Sequence, residues 1–319
     1  MIYLSCQPNH CYFSWQLEVQ FLNFIDVGIP LETYHVVVGC KDGAEIIPAF
    51  KELSKRYPTV QWGFVVDTRI NKTYIPSIKP HLAGNYLELH PELQKETIFY
   101  LDSDVLFKKH LDLDKYLSDE IQYMSNTNSY INAKYIESKG KGLLERMCSI
   151  CKVSPDDIRS INDHSGGAQY ILKNLPLEYW RKTEIDSVAL YHFMKNSVEE
   201  YALIWSQENN KPIKDYHCIQ MWCAEMWSTL WNLRFFNKQV QIVKELDFTF
   251  ATSPIADLDK VDILHNAGVT EKDQHQMFFK GGFRDGIPND LDLSYVSEKY
   301  TSHYYASYVK KLLELRKKS

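Results

Sequence analysis

Four short apolar runs, each separated from the next by a segment of helical period, dominate the first hundred or so residues of the chain. "MIYLSC", "YHVVVGC", "VQWGFVVDT" and "TIFYLDSDVLF" are nearly continuous in Ile, Val, Leu, Phe and Tyr. Runs of that kind are strands buried on both faces, the condition of a parallel sheet covered by its crossover helices. The helices lie between them: "YFSWQLEVQFLNFIDVG", stopped at Gly28, then "AEIIPAFKELSKRY", then "SIKPHLAGNYLELHPEL". The order is βαβαβαβ. Right-handed crossovers then give an α/β fold with a doubly wound, mostly parallel central sheet and helices on both faces.

The second half is less regular. Polar and helical stretches with the loop "ESKGKG" fill 125–160, and "HSGGAQYILKNL" follows. A long helical region runs through "IQMWCAEMWSTLWNLRFF"; "KQVQIV" and "VDILHNAG" read as strands, and "MFFKGGFRDGIPND" as a glycine-punctuated loop. There is no internal repeat and no linker rich in Pro, Gly or Ser. The expectation is one compact unit of two functional parts, a ligand-binding α/β half over 1–124 and a second half over 125–319 ending in a helix.

Composition removes several function classes. The balance of 36 Lys and Arg against 41 Asp and Glu leaves a net charge of −5, so no basic footprint marks the whole chain as a nucleic-acid binder. The tail "VKKLLELRKKS" is locally basic at helical spacing, as a solvated helix end is. No window approaches the roughly 20 apolar residues of a membrane span. The first residues are strand-like rather than a secretory signal, and seven scattered cysteines fit a reducing cytoplasm. Cys148 and Cys151 form a CxxC in "LLERMCSICKV" with no second pair at zinc spacing, the pattern of ordinary helix packing. The first βα turn, "SCQPNHCYF", lacks the GxGxxG of a dinucleotide site, and no GxxxxGK[ST] occurs anywhere.

Ligands of such sheets bind beyond the carboxyl ends of the strands. Asp102 and Asp104 stand there, one residue apart within "IFYLDSDVLF". Two buried, unpaired acids are costly, which calls for a partner. Oxygen ligands at that spacing suit a hard cation, Mg2+ or Mn2+, that keeps water and substrate phosphates as its other ligands. The plainer alternative is a pair of strand-end acids capping the following loop.

"YLDSDVLF" resembles the DxD strand of GT-A glycosyltransferases, which use nucleotide-diphosphate sugars, and "DILHNAG" resembles the strand-end His of many of them. By that resemblance Asp102, Asp104 and His265 hold the metal, with Ser103 between the acids at the donor site. Gly268 lets the backbone approach the diphosphate, and Lys280 in "FFKGGF" contacts it. "IPSIKPHLAGNYLE" followed by "ETIFYLDSD", and "IQMWCAEMWS", are similar to segments of plant hydroxyproline O-arabinosyltransferases and peptidyl-serine galactosyltransferases. This implies Lys79 near donor phosphate or sugar. Departures are Ser103 between the acids, no His after the second acid, and no secretory signal. In format the chain also resembles the sugar transferases that bacteriophages use on hydroxymethylated cytosine in DNA.

The implied activity is metal-dependent transfer of a pentose such as arabinose, or a hexose, from a UDP-sugar to an acceptor hydroxyl in the cytoplasm, with modified phage DNA as the acceptor and no membrane partner. A protein or glycan hydroxyl, or nucleotide-sugar hydrolysis, is the alternative. Inversion at the anomeric carbon needs a base within hydrogen-bond reach of the acceptor. Glu225, on an otherwise apolar helix, and Asp163, ahead of a Gly-Gly pair, are the candidates; each has a structural alternative, a satisfied buried acid and a plain turn.

Overall fold

The N-terminal apolar runs form strands where the sequence places them. In the computed structural model, which describes residues 1–318, β1 (Ile2–Pro8), β2 (Tyr34–Cys40) and β3 (Gln61–Val66) pair in parallel in the order β3-β2-β1. β1 and β2 are buried almost throughout, whereas β3 alternates, with Gln61, Phe64 and Val66 exposed. α1 (Cys11–Asp26) buries the run Ser14–Phe24, and Gly28, at φ +77°, follows its end in the left-handed region. α2 (Pro48–Arg56) starts later than its helical pattern, because Ile47 is extended ahead of Pro48 and proline then serves as a first-turn residue.

The fourth apolar run is not one strand. β4 (Ile98–Tyr100) lies beside β1; the chain then turns through 101–104, and β5 (Val105–Phe107) joins a separate three-stranded sheet. Its other members are β9 (Phe248–Phe250) and β10 (Ile263–His265), with β10 in the middle, antiparallel to β5 and parallel to β9. The polar residues of "DSD" break the pairing, and the apolar residues on either side supply one strand to each sheet.

Packing divides the chain into two compact units. The first comprises Met1–Asp67, Phe99–Leu117 and Lys244–Ser319; the second comprises Thr68–Ile98 and Ser118–Val243. This division differs from the expected halves at 1–124 and 125–319, because the last strands and the C-terminal helix α11 (Ser302–Lys318) return to the N-terminal strands. α11 buries Tyr305, Val309, Leu312 and Leu313 in a cluster with Trp15, Val19, Leu106, Leu264 and Phe278. Its basic residues face outward, where Lys311 pairs with Asp26 and Arg316 with the buried Glu18.

The second unit holds α3 (Ile78–Leu89), β6 (Gln122–Asn126), α4 (Asn128–Ile131), α5 (Ala133–Glu137), α6 (Leu143–Cys151), α7 (Pro155–Ser160) and β7 (Gly166–Leu172). The helices α8 (Leu177–Asn196), α9 (Val198–Asn209) and α10 (Ala224–Phe235) and strand β8 (Val240–Ile242) complete it. β6 pairs antiparallel with β7 and parallel with β8. The long helical region of the sequence is therefore three helices, and "HSGGAQYILKNL" carries a strand. Cys148 and Cys151 are buried free thiols on α6, packed as expected, and burial pushes Cys148 up to about 12. The chain is an α/β protein with mostly parallel strands flanked by helices. Among the described residues no helix is long and apolar enough to cross a membrane.

Candidate functional site

The turn at 101–104 is held from below by polar side chains of α1. Gln20 Nε2 donates to the carbonyls of Asp102 (3.0 Å) and Val105 (2.7 Å), and its oxygen accepts from the Tyr34 hydroxyl. One turn further on, Asn23 exchanges two hydrogen bonds with the backbone of Phe107, at 2.7 and 2.8 Å. Residues three apart share a helix face, so one polar stripe of α1 fixes both ends of the turn and the far end of β5. Ser103 is buried at its tip.

Strand register brings the third residue. In the β5–β10 pair His265 lies opposite Val105, and the Asn266 N–H donates to the Asp104 carbonyl at 3.0 Å. His265 Nε2 stands 3.5 Å from Asp104 Oδ1 and 3.7 Å from Asp102 Oδ2. One ligand atom from each of Asp102, Asp104 and His265 lies within 4.8 Å of the others. The other ring nitrogen of His265 is buried without a hydrogen bond, so the ring's polar engagement is through Nε2. Two carboxylates and an imidazole at this spacing fit Mn2+ or Mg2+, with Asp102, side chain 31% exposed, on the open side.

Lys280 completes the cluster through an ion pair with Asp104 Oδ2. Burial pushes the Asp104 carboxyl up, but the ammonium of Lys280 and the ring of His265 outweigh it and hold the group well below the usual carboxylate range. For Lys280, burial pushes down and Asp104 pushes up, with a net rise. Gly268 follows β10 at φ +93°, where a Cβ would touch Thr252 and the backbone favours glycine on its own account. Asn266 is buried, with its side chain against the Tyr305 hydroxyl.

The remaining candidates lie in the second unit. Lys79 on α3 pairs with Glu225 on α10, Nζ to Oε2 3.0 Å. Glu225 is 3% exposed; its other oxygen accepts from Thr229 at 3.2 Å, and its N–H donates to the Tyr74 hydroxyl at 2.9 Å. Asp163 is exposed in a short 3-10 turn and accepts from Asn162 Nδ2 at 3.0 Å. The glycines that follow it have a packing reason. A Cβ on Gly166 would sit 2.0 Å from Met124 Cγ, and one on Gly167 would sit 2.6 Å from Met226 Cε.

The structure thus brings Asp102, Asp104, His265 and Lys280 together in the first unit, which also holds Ser103 and Gly268, and pairs Lys79 with Glu225 in the second. Sequence reasoning missed Gln20, Asn23 and Asn266. The available signal was two amide side chains three residues apart inside the apolar run "VQFLNF".

No family model and no curated protein matches the chain. Among solved structures it is similar to the mannosyltransferase PcManGT from Pyrobaculum calidifontis, in complex with GDP-Man and Mn2+. The identity is 14%, over 73% of this chain and 72% of that one, with a TM-score of 0.32. It is also similar to the PaToxG glycosyltransferase, at 10% identity over 74% of this chain and 86% of that one, with a TM-score of 0.26.

Proposed function

We propose that the protein is a metal-dependent glycosyltransferase that moves a sugar from a nucleotide-diphosphate donor to an acceptor hydroxyl. The observation that carries this reading is the convergence of Asp102, Asp104 and His265, from a turn and a distant strand, with Lys280 on the same acid. Asp102, Asp104 and His265 would hold a divalent cation, which when bound would supply Lewis-acid stabilisation of the departing diphosphate. Lys280 places a further positive charge where negative charge develops. Gln20 fixes the backbone on either side of the acids.

The donor is proposed as a UDP-sugar, a pentose such as arabinose or a hexose, and the acceptor as hydroxymethylated cytosine in phage DNA within the host cytoplasm. Such a base must leave the stack to reach a catalytic site. Donor binding is assigned to the residues of the first unit named above. Glu225 and Asp163 remain the two candidates for the base, and Lys79, a candidate donor contact, pairs with the Glu225 carboxylate.

The test is release of nucleoside diphosphate from a panel of nucleotide sugars with Mn2+, with and without hydroxymethylated DNA. Release that requires the DNA, with sugar appearing on it, supports the full reading. Release that requires a glycan or peptide acceptor instead moves the substrate class, and release without acceptor identifies a hydrolase. No release from any donor defeats the assignment.

A further inference from the structure

We propose that Lys280 is a resident counter-ion: it occupies the cation seat at Asp104 until a diphosphate draws it away, so that metal and donor bind cooperatively. This rests on the donor-site reading above and concerns the order in which that site fills.

Asp104 is almost fully buried, and both of its oxygens are already engaged. Lys280 Nζ pairs with Oδ2, and His265 Nε2 stands 3.5 Å from Oδ1. Without a cation the ammonium neutralises a carboxylate that would otherwise be buried and uncompensated. A divalent ion arriving alone must share that oxygen with a positive charge or displace it, and either course weakens binding. A diphosphate changes the balance, because it offers the ammonium a second anion outside the acidic turn.

The local structure permits that exchange without moving the backbone. The flanking residues are anchored: Phe278 is fully buried and its N–H donates to Ser302 Oγ at 2.8 Å, while the Phe283 carbonyl accepts from Trp15 Nε1 at 3.0 Å. The rings of Phe278 and Phe283 stack at 5.4 Å on either side of the lysine turn. Lys280 itself is followed by Gly281 and Gly282, and about a quarter of its side chain is exposed, so its flexible stem has an open side. An anchored base and a mobile tip let one ammonium serve Asp104 in the empty site and phosphate in the loaded one.

Coupling of this kind is reciprocal: whatever the diphosphate adds to metal affinity, the metal adds to diphosphate affinity. The experiment titrates Mn2+ alone, followed by electron paramagnetic resonance of the free ion, into wild-type protein, K280M, K280R and D104N, and repeats each titration with saturating UDP. The expected result is Mn2+ binding to K280M about tenfold or more tighter than to wild type in the absence of UDP. K280R stays weak like wild type, and the tightening that UDP produces in wild type shrinks in K280M. Circular dichroism checks that K280M is folded, and K280Q takes its place if it is not. Equal or weaker Mn2+ binding by the uncharged variants, with binding lost in D104N, overturns the counter-ion role and leaves the metal site standing. Mn2+ binding by none of the proteins, with or without UDP, overturns both.

Discussion

Asp104 and His265 meet at 3.5 Å because the antiparallel pairing of β5 with β10 sets His265 opposite Val105, the residue after the acid. The contact is therefore a property of strand register. A slip of one residue would turn the imidazole to the other face of the small sheet and leave the two acids without it. The core cluster that takes Leu106 from β5 and Leu264 from β10 fixes that register, since both side chains must stay inside. Packing and site geometry are here one constraint.

Removing charge from the acidic turn should remove turnover. Asp104→Asn and Asp102→Asn keep size and shape but give up carboxylate ligands of the proposed site. Diphosphate release in the presence of Mn2+ is expected to fall by about a hundredfold or more in each. Near-normal rates in either variant would remove the basis of the metal assignment.

The support beneath the turn should be as necessary as the acids. Gln20→Leu removes the amide that donates to the carbonyls of Asp102 and Val105 and accepts from the Tyr34 hydroxyl. Unsatisfied buried groups cost about 1–3 kcal/mol each, so urea unfolding should show a loss of about 2 kcal/mol or more. Mn2+ affinity should fall with it, measured where the variant is still folded. A stable Gln20→Leu protein with unchanged Mn2+ binding would show that the turn holds itself.

Legibility in the sequence followed the range of the interaction. β1, β2 and the helices between them were readable because burial on both faces writes itself into consecutive residues. The run "IFYLDSDVLF" misled as one strand, because local composition does not reveal that its two ends join different sheets. His265 was singled out through resemblance, whereas its place beside the acids comes from the β5–β10 register, which is non-local. Gln20 and Asn23 were hidden inside an apolar helix, since periodicity treats a buried amide as an exposed one. The pairing of Lys79 with Glu225 could not be foreseen from either residue's neighbours, and it changes what each can be asked to do.

Gly166 should resist substitution for reasons of packing. An added Cβ would lie 2.0 Å from Met124 Cγ and 2.6 Å from the Ser125 carbonyl, where the β6–β7 register shifts. Overpacking of this kind costs about 1–3 kcal/mol, and Gly166→Ala should lower the thermal midpoint accordingly. An unchanged midpoint would mean that β6 yields more readily than its burial implies.

A surface cluster in the first unit should make stability depend on acidity. Lys115 and the Tyr116 hydroxyl both bind Glu245, and these bonds hold its carboxyl down at about 2. A depressed folded pKa means the contribution is complete above the unfolded value of about 4.3 and is lost as pH falls through that value toward 2. Because the pair is partly exposed, solvent screening reduces it to about 1 kcal/mol or less. Glu245→Gln should flatten the pH dependence of unfolding between about pH 5 and 2; a slope identical to wild type would assign that dependence to other acids.

Glu225 and Lys79 offer the sharpest division between a structural and a catalytic role. Both are mostly buried, so Glu225→Ala takes a charged partner from Lys79 and should destabilise the protein in urea unfolding. A double-mutant cycle with Lys79→Met and Glu225→Met measures how much of that loss belongs to the pair. Stability alone does not decide whether Glu225 also takes the acceptor proton. Glu225→Gln keeps the shape and the Thr229 contact, so its rate at conditions where it is folded isolates the proton-accepting role. If Glu225 is the base, turnover should collapse by about a hundredfold or more, and the acid limb of the pH–rate profile should disappear with it. A retained limb with a modest loss of rate would make the pair a brace within the second unit and transfer the base assignment to Asp163.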